Sequence, residues 1–147
     1  MKGSMLRKQD KLATRFGLPP ETRHALILVF WAVLICCVVI GSLLPAASSV
    51  MVAVGRLHIS DKVQHFGSYL VLSFLPVLAV QDLRRGTAIG LSMIVLGGLL
   101  EFGQTFSPGR SPDIRGQIAN TLGVVCGVLL AGGCRYGSGA WRKREAA

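Results

Sequence analysis

The sequence predicts an all-α polytopic membrane protein, a four-transmembrane-helix bundle with both termini cytoplasmic. Three observations predict it. The 147 residues are 51% hydrophobic and only 16% charged, with a mean hydropathy of +0.54, which is oilier than an ordinary water-soluble domain. The apolar residues gather in four runs, none with the period-two alternation of a membrane barrel. The Lys and Arg residues are shared out very unequally among the segments that join those runs.

Residues 1–24 form a polar, basic N-terminal tail that ends near the Pro19-Pro20 break. Residues 25–45, "ALILVFWAVLICCVVIGSLLP", contain no charge, and about 20 such residues cross a bilayer core. The run exceeds the roughly 7–15 apolar residues of a cleaved signal peptide, so it reads as a retained anchor. The second span, 63–80, opens with polar residues and carries Pro76, which predicts a kink. The third covers 86–106 and the fourth 117–134, and residues 135–147 form a basic C-terminal tail. Gly86/Gly90 and Gly123/Gly127 have the GxxxG spacing that lets helices approach closely, within one chain or in a homo-oligomer.

Orientation follows from the charges. With the N-terminus inside, twelve of the sixteen Lys and Arg residues fall on the cytoplasmic side, leaving Arg56, Lys62, Arg110 and Arg115 outside. That bias argues for both termini in the cytoplasm, in a multi-pass chain expected in the cell (inner) membrane. It also accounts for the net charge of +9 without a nucleic-acid partner: the basic tails offer only Phe16, Tyr136 and Trp141 as aromatics, and anionic lipid suits them better. Cys36, Cys37, Cys126 and Cys134 form neither a CxxC pair nor a zinc-ligand spacing and read as small packing residues, so no metal or cofactor is implied.

The polar residues of the spans converge. Asp61, His65 and Tyr69 follow at i, i+4 and i+8 beside Lys62, sharing one helix face where the second span begins. Glu101 and Gln104 close the third span, Arg110 and Asp113 follow in the loop, and Gln117 and Asn120 open the fourth. All lie toward the outer leaflet, where an ionisable group in a span is costly and by default functional. Singly, each has a plainer explanation: Ser60 or Asp61 as a helix N-cap, Tyr69 as an interfacial aromatic, Gln104 and Asn120 as interhelical hydrogen-bond glue. For Glu101 the plainer explanation is an ion pair with Arg110 that pins the loop, and His65 is the other available partner.

These residues resemble the VanZ-like membrane protein family. "DKVQHFGSYL" at 61–70, "EFGQTFSPGR" at 101–110 and "IANTLGVVCG" at 118–127 match its D-K-x-x-H-F-x-x-Y, E-x-x-Q-x-x-x-P-G-R and A-N-x-x-G-x-x-x-G patterns in order. The resemblance covers roughly residues 25–134. One position departs: the family usually carries an acid three residues before the Asn, where this chain has Gln117, and Asp113 is a carboxylate that stands in from the loop. The resemblance implies a prokaryotic cell-envelope protein, linked through the name-giving member to resistance against the glycopeptide antibiotic teicoplanin. It does not imply a reaction.

The favoured function is binding of a membrane lipid headgroup or lipid-linked wall precursor in an outer-face pocket formed by Asp61, Lys62, His65, Tyr69, Glu101, Gln104, Arg110 and Asn120. Arg110 would hold a phosphate or carboxylate. An alternative is an enzyme on a lipid-linked substrate with His65 and Glu101 as the acid–base pair, although no serine or cysteine stands in a nucleophile context. A metal site of Asp61, His65 and Glu101 ranks below hydrogen bonding. A small transporter ranks last, because carrier sites sit near the midplane.

Overall fold

The structure, a computed structural model, describes residues 19–145. The basic tail expected over 1–24 lies outside the described residues up to residue 18, as do residues 146–147 of the C-terminal tail. Five α-helices follow one another: α1 (Pro20–Leu43), α2 (Ser49–Gly55), α3 (Asp61–Ala79), α4 (Leu83–Gly103) and α5 (Ile114–Glu145), with a 3-10 turn over Gln104–Phe106. No strand occurs among the described residues.

The chain is an all-α, membrane-spanning helical bundle. Three stretches are long and apolar enough to cross a bilayer: Glu21–Leu43, Leu83–Phe106 and Ile114–Gly137. The burial pattern is the reverse of a water-soluble core. Phe30, Ile40, Val95, Leu99 and Leu129 point outward, more than half exposed, whereas Ser73, Glu101, Gln104 and Asn120 are buried. Water would penalise such a surface, and hydrocarbon matches it.

Helix α3 is the hub. It packs most extensively against α5, then against α4 and α1. Asp61–Ala79 is not among the stretches apolar enough to cross by composition, because Asp61, Lys62, Gln64 and His65 crowd its first turns; further along, Tyr69 and Ser73 are buried against neighbouring helices. Glycines allow that closeness. A side chain at Gly123 would strike the Phe66 carbonyl, and one at Gly127 the Leu70 carbonyl and the Ser73 hydroxyl. On α4, a Cβ at Gly86 would lie 2.9 Å from the Pro76 carbonyl oxygen, and one at Gly90 2.9 Å from that of Ser73. Both GxxxG faces are therefore filled within the chain: the small residues hold α4 and α5 against α3.

The helix boundaries have local causes. Pro20 does not end a segment but starts α1 in its first turn, where a missing N–H costs nothing. Ser60 is the N-cap residue of α3, yet its side chain makes no capping bond. Asp82 caps α4, accepting from the Arg84 and Arg85 amides at 2.9 and 3.4 Å. Inside α3, Pro76 removes the amide that would bond the Leu72 carbonyl, and the Trp31 indole of α1 donates to that carbonyl at 2.7 Å instead. At the far end of α3, Arg135 of α5 donates to the carbonyls of Val77, Val80 and Gln81. Helix α5 continues to Glu145, beyond the 117–134 stretch expected as the fourth span; its 32 residues reach ~48 Å, against a hydrocarbon core of about 30 Å.

Candidate functional site

One end of the bundle gathers the first turn of α3, the last turn of α4, the loop after it and the first turns of α5. The Pro108-Gly109 turn sets the loop: Gly109 adopts a φ of +73°, which glycine accepts without strain, and the Pro108 carbonyl takes the Ala46 amide at 3.2 Å. The loop is thereby tied to the end of α1. The Ser107 hydroxyl adds a 2.9 Å bond to the Leu43 carbonyl.

His65 is the centre of the polar cluster. Its Nδ1 lies 3.0 Å from Asn120 Oδ1 and 3.6 Å from Glu101 Oε1, and its Nε2 lies 3.5 Å from Asp61 Oδ1. The i, i+4 spacing of Asp61 and His65 anticipated that contact. Glu101 is 7% exposed; its Oε2 accepts the Asp113 amide at 3.0 Å, and Gly116 leaves room for it, since any side chain there would meet Oε1. The expected alternative of a Glu101–Arg110 ion pair is thus corrected: Glu101 is held by His65 and a loop amide, while Arg110 turns to α1.

Arg110 donates from Nε to the Leu44 carbonyl at 3.3 Å and from Nη2 to the Gly41 carbonyl at 3.2 Å, with Met51 Sδ at 2.7 Å. These are carbonyls of the α1 C-terminus, left without helical amides and carrying the negative end of the helix dipole. Among the described residues no carboxylate forms an ion pair with Arg110. Its guanidinium lines a cavity of about 490 Å³ together with Asp61, Lys62, His65, Glu101, Gln104 and Asp113.

Lys62 is differently placed. Its ammonium lies 2.9 Å from Asp61 and 2.5 Å from Asp113. The bonds to Asp113 and Asp61 raise the Lys62 pKa, and the Lys62 bond, helped by the Arg115 amide, holds the Asp113 carboxyl below its ordinary value. At Asp61, partial burial pushes upward but is outweighed by the bond from Lys62 and the charges of His65, Lys62 and Arg110, so its pKa is lowered.

The structure brings Asp61, Lys62, His65, Glu101, Gln104 and Arg110 to one cavity. Tyr69, 2% exposed, lines an adjoining one of about 410 Å³. Asn120 lines neither and stands behind His65, fixing its ring. Gln117 faces away: its Nε2 donates to the Ile94 carbonyl at 3.2 Å and its Oε1 lies 3.5 Å from Asn120 Nδ2. The acid at this end of α5 is Asp113. Asp61, His65 and Glu101 are not arranged around one point, because the two carboxylates flank opposite nitrogens of the ring; no group of three such ligands is poised for an ion among the described residues.

Sequence reasoning missed Met51 and Val54 of α2, which roof both cavities, and Gln64, which lines both beside His65. Ser48 before an apolar run was the available signal for α2; its hydroxyl caps the helix at the Met51 amide.

The fold and the cluster define a polytopic α-helical membrane protein with a polar chamber, open to the surface, at one end. The chain matches no family model, no curated protein and no solved structure.

Proposed function

We propose that the protein binds a phosphate-bearing component of the membrane or cell envelope in the chamber beneath α2, with Arg110 as the anion-holding group. One observation carries this reading: a guanidinium that lines a 490 Å³ chamber and has carbonyl and sulfur neighbours but no ion-paired carboxylate among the described residues. Lys62 is already engaged by two carboxylates, so Arg110 is the cation with charge to offer. His65, Gln104 and Lys62 are placed to orient the rest of a headgroup.

The reading includes four crossings, with α3 as the second, sheltered by its neighbours, and both termini in the cytoplasm of a prokaryotic cell. Supporting it, Arg84, Arg85 and Arg135 lie at the bundle end opposite the chamber, where the positive-inside rule would put the cytoplasm. The resemblance to VanZ-like proteins is part of the same proposal, and with it a place in glycopeptide resistance. Asp113, bonded to Lys62, takes the role of the acid that Gln117 does not supply.

A second reading, acid–base chemistry on a lipid-linked substrate, draws on the imidazole of His65 held between Asp61 and Glu101. Among the described residues no serine or cysteine is hydrogen-bonded to His65, so water would have to be the nucleophile.

The test is native mass spectrometry of gently solubilised protein. Wild type is expected to retain a phosphate-bearing lipid that Arg110→Ala loses. Ser107→Ala, which also removes a bond to the end of α1 but no charge, should retain it. Bare wild type and bare variants would overturn the reading.

A further inference from the structure

The polar chamber does not end at its own walls. A second cavity of about 410 Å³ shares Met51, Asp61, Gln64, His65, Gln104 and Arg110 with it. Beyond those shared residues the lining changes character: Leu34, Cys37, Val38 and Gly41 of α1 face Ser68 and Tyr69 of α3. Each cavity falls within the roughly 300–1,000 Å³ of ordinary ligand sites. Cys37 lines the second cavity and is also exposed on the bundle surface. That cavity therefore opens sideways, between α1 and α3, onto the apolar face of the protein.

Gly41 marks the junction. Its carbonyl accepts from Arg110 at 3.2 Å, and a Cβ built there would find no neighbour nearer than Met51 Cε at 4.0 Å. The space beside it is open, and a guanidinium stands at its head.

We infer that the site takes an amphiphile lying across both cavities, its phosphate at Arg110 and one hydrocarbon chain in the groove between α1 and α3, admitted from the bilayer rather than from water. This rests on the proposed headgroup function and adds the chain to it. Two features of the page favour a lipid over a free phosphate. The charged chamber opens into an apolar channel that a soluble anion would leave empty, and the channel emerges where the surface is hydrocarbon-facing. Binding both ends joins two weak contacts in one molecule, so each fragment alone should bind far more weakly.

The test uses three probes on purified protein in a neutral detergent, with affinities read by native mass spectrometry. They are 1-oleoyl-lysophosphatidylglycerol (chain and phosphate), glycerol 3-phosphate (phosphate alone) and monoolein (chain alone). Wild type should bind the first at least tenfold more tightly than either fragment, a comparison that needs no variant. Gly41→Leu, which fills the groove while keeping the backbone carbonyl, should weaken the first probe about tenfold. Arg110→Ala should weaken it as much. If glycerol 3-phosphate binds as well as the lysolipid, or if Gly41→Leu binds like wild type while Arg110→Ala does not, the chain placement is wrong and the headgroup site stands. If monoolein equals the lysolipid, or neither variant matters, the amphiphile and the headgroup reading fall together.

Discussion

Trp31 donates its indole N–H to the Leu72 carbonyl at 2.7 Å, and Leu72 is the residue whose helical partner Pro76 abolishes. A proline inside a spanning helix needs such a substitute, because hydrocarbon offers no water to satisfy the freed carbonyl. Here the substitute comes from α1, so one side-chain bond repairs α3 and also docks the first helix against the hub.

That relationship predicts a specific coupling. Trp31→Phe keeps the ring and loses the donor, and should destabilise the protein by about 1–3 kcal/mol, the usual cost of a buried acceptor left unmet. In a Pro76→Ala background the helix supplies its own amide to Leu72, and the penalty of Trp31→Phe should shrink by more than half. Thermal unfolding in detergent of the four proteins measures it. Equal penalties in both backgrounds would mean that the indole bond is incidental.

The glycines of α5 should divide by position. Gly123→Ala and Gly127→Ala push a methyl into the backbone of α3 and should cost about 1–3 kcal/mol or more. Gly133→Ala, with nothing within 4 Å, should be neutral or stabilise by up to ~1 kcal/mol through helix propensity. The midpoint of thermal unfolding distinguishes them.

The Lys62–Asp113 pair gives a pH signature. The Asp113 pKa is lowered below its ordinary 3.8 and the Lys62 pKa raised above its ordinary 10.5 by the same bond. The carboxylate's contribution is therefore present above the unfolded carboxyl pKa and lost as pH falls through the folded value. The ammonium's is present below the unfolded lysine pKa and lost as pH rises through its folded value. Asp113→Asn should lower the melting temperature at neutral pH, and its difference from wild type should vanish on acidification below that folded value. A difference that persists unchanged in acid would assign the effect to the loop backbone instead.

Placing an acid at position 117 should not improve the protein. Gln117 donates to the Ile94 carbonyl, and an ionised Glu there would set acceptor against acceptor beside Gly97 and Asn120. Gln117→Glu should reduce thermal stability, by about 1–3 kcal/mol, while Asp113→Glu is the change to watch for an effect on lipid retention. Gain of stability in Gln117→Glu would show that the helix start can reorient.

Much of this was legible in the chain. The apolar runs around Val33, Val95 and Leu129 announced helices facing lipid, and the spacing of Asp61, His65 and Tyr69 announced one polar stripe. The convergence on Glu101 and Arg110 followed from the order of the spans. Partner choice was not legible. Arg110 and Arg135 bond helix-end carbonyls, and those carbonyls become targets only when a distant helix stops beside them. Helix α2 was missed because seven residues carry too little periodicity to be told from a loop. Gly116 was missed because its value lies entirely in the side chain it does not place against Glu101.

The central position of α3 has a consequence for how the protein is made. It leaves the ribosome before α4 and α5, yet α5 covers more of it than any other described helix. Lys62, His65 and Ser73 must wait through the translation of about fifty further residues before Asp113, Asn120 and the Val124 carbonyl exist. A nascent chain cut short before residue 113 would leave His65 without Asn120 and Lys62 without Asp113 in an incomplete bundle. Such a chain is a natural client for membrane quality control, and the tolerance of this protein to C-terminal truncation should end abruptly where α5 begins to cover α3.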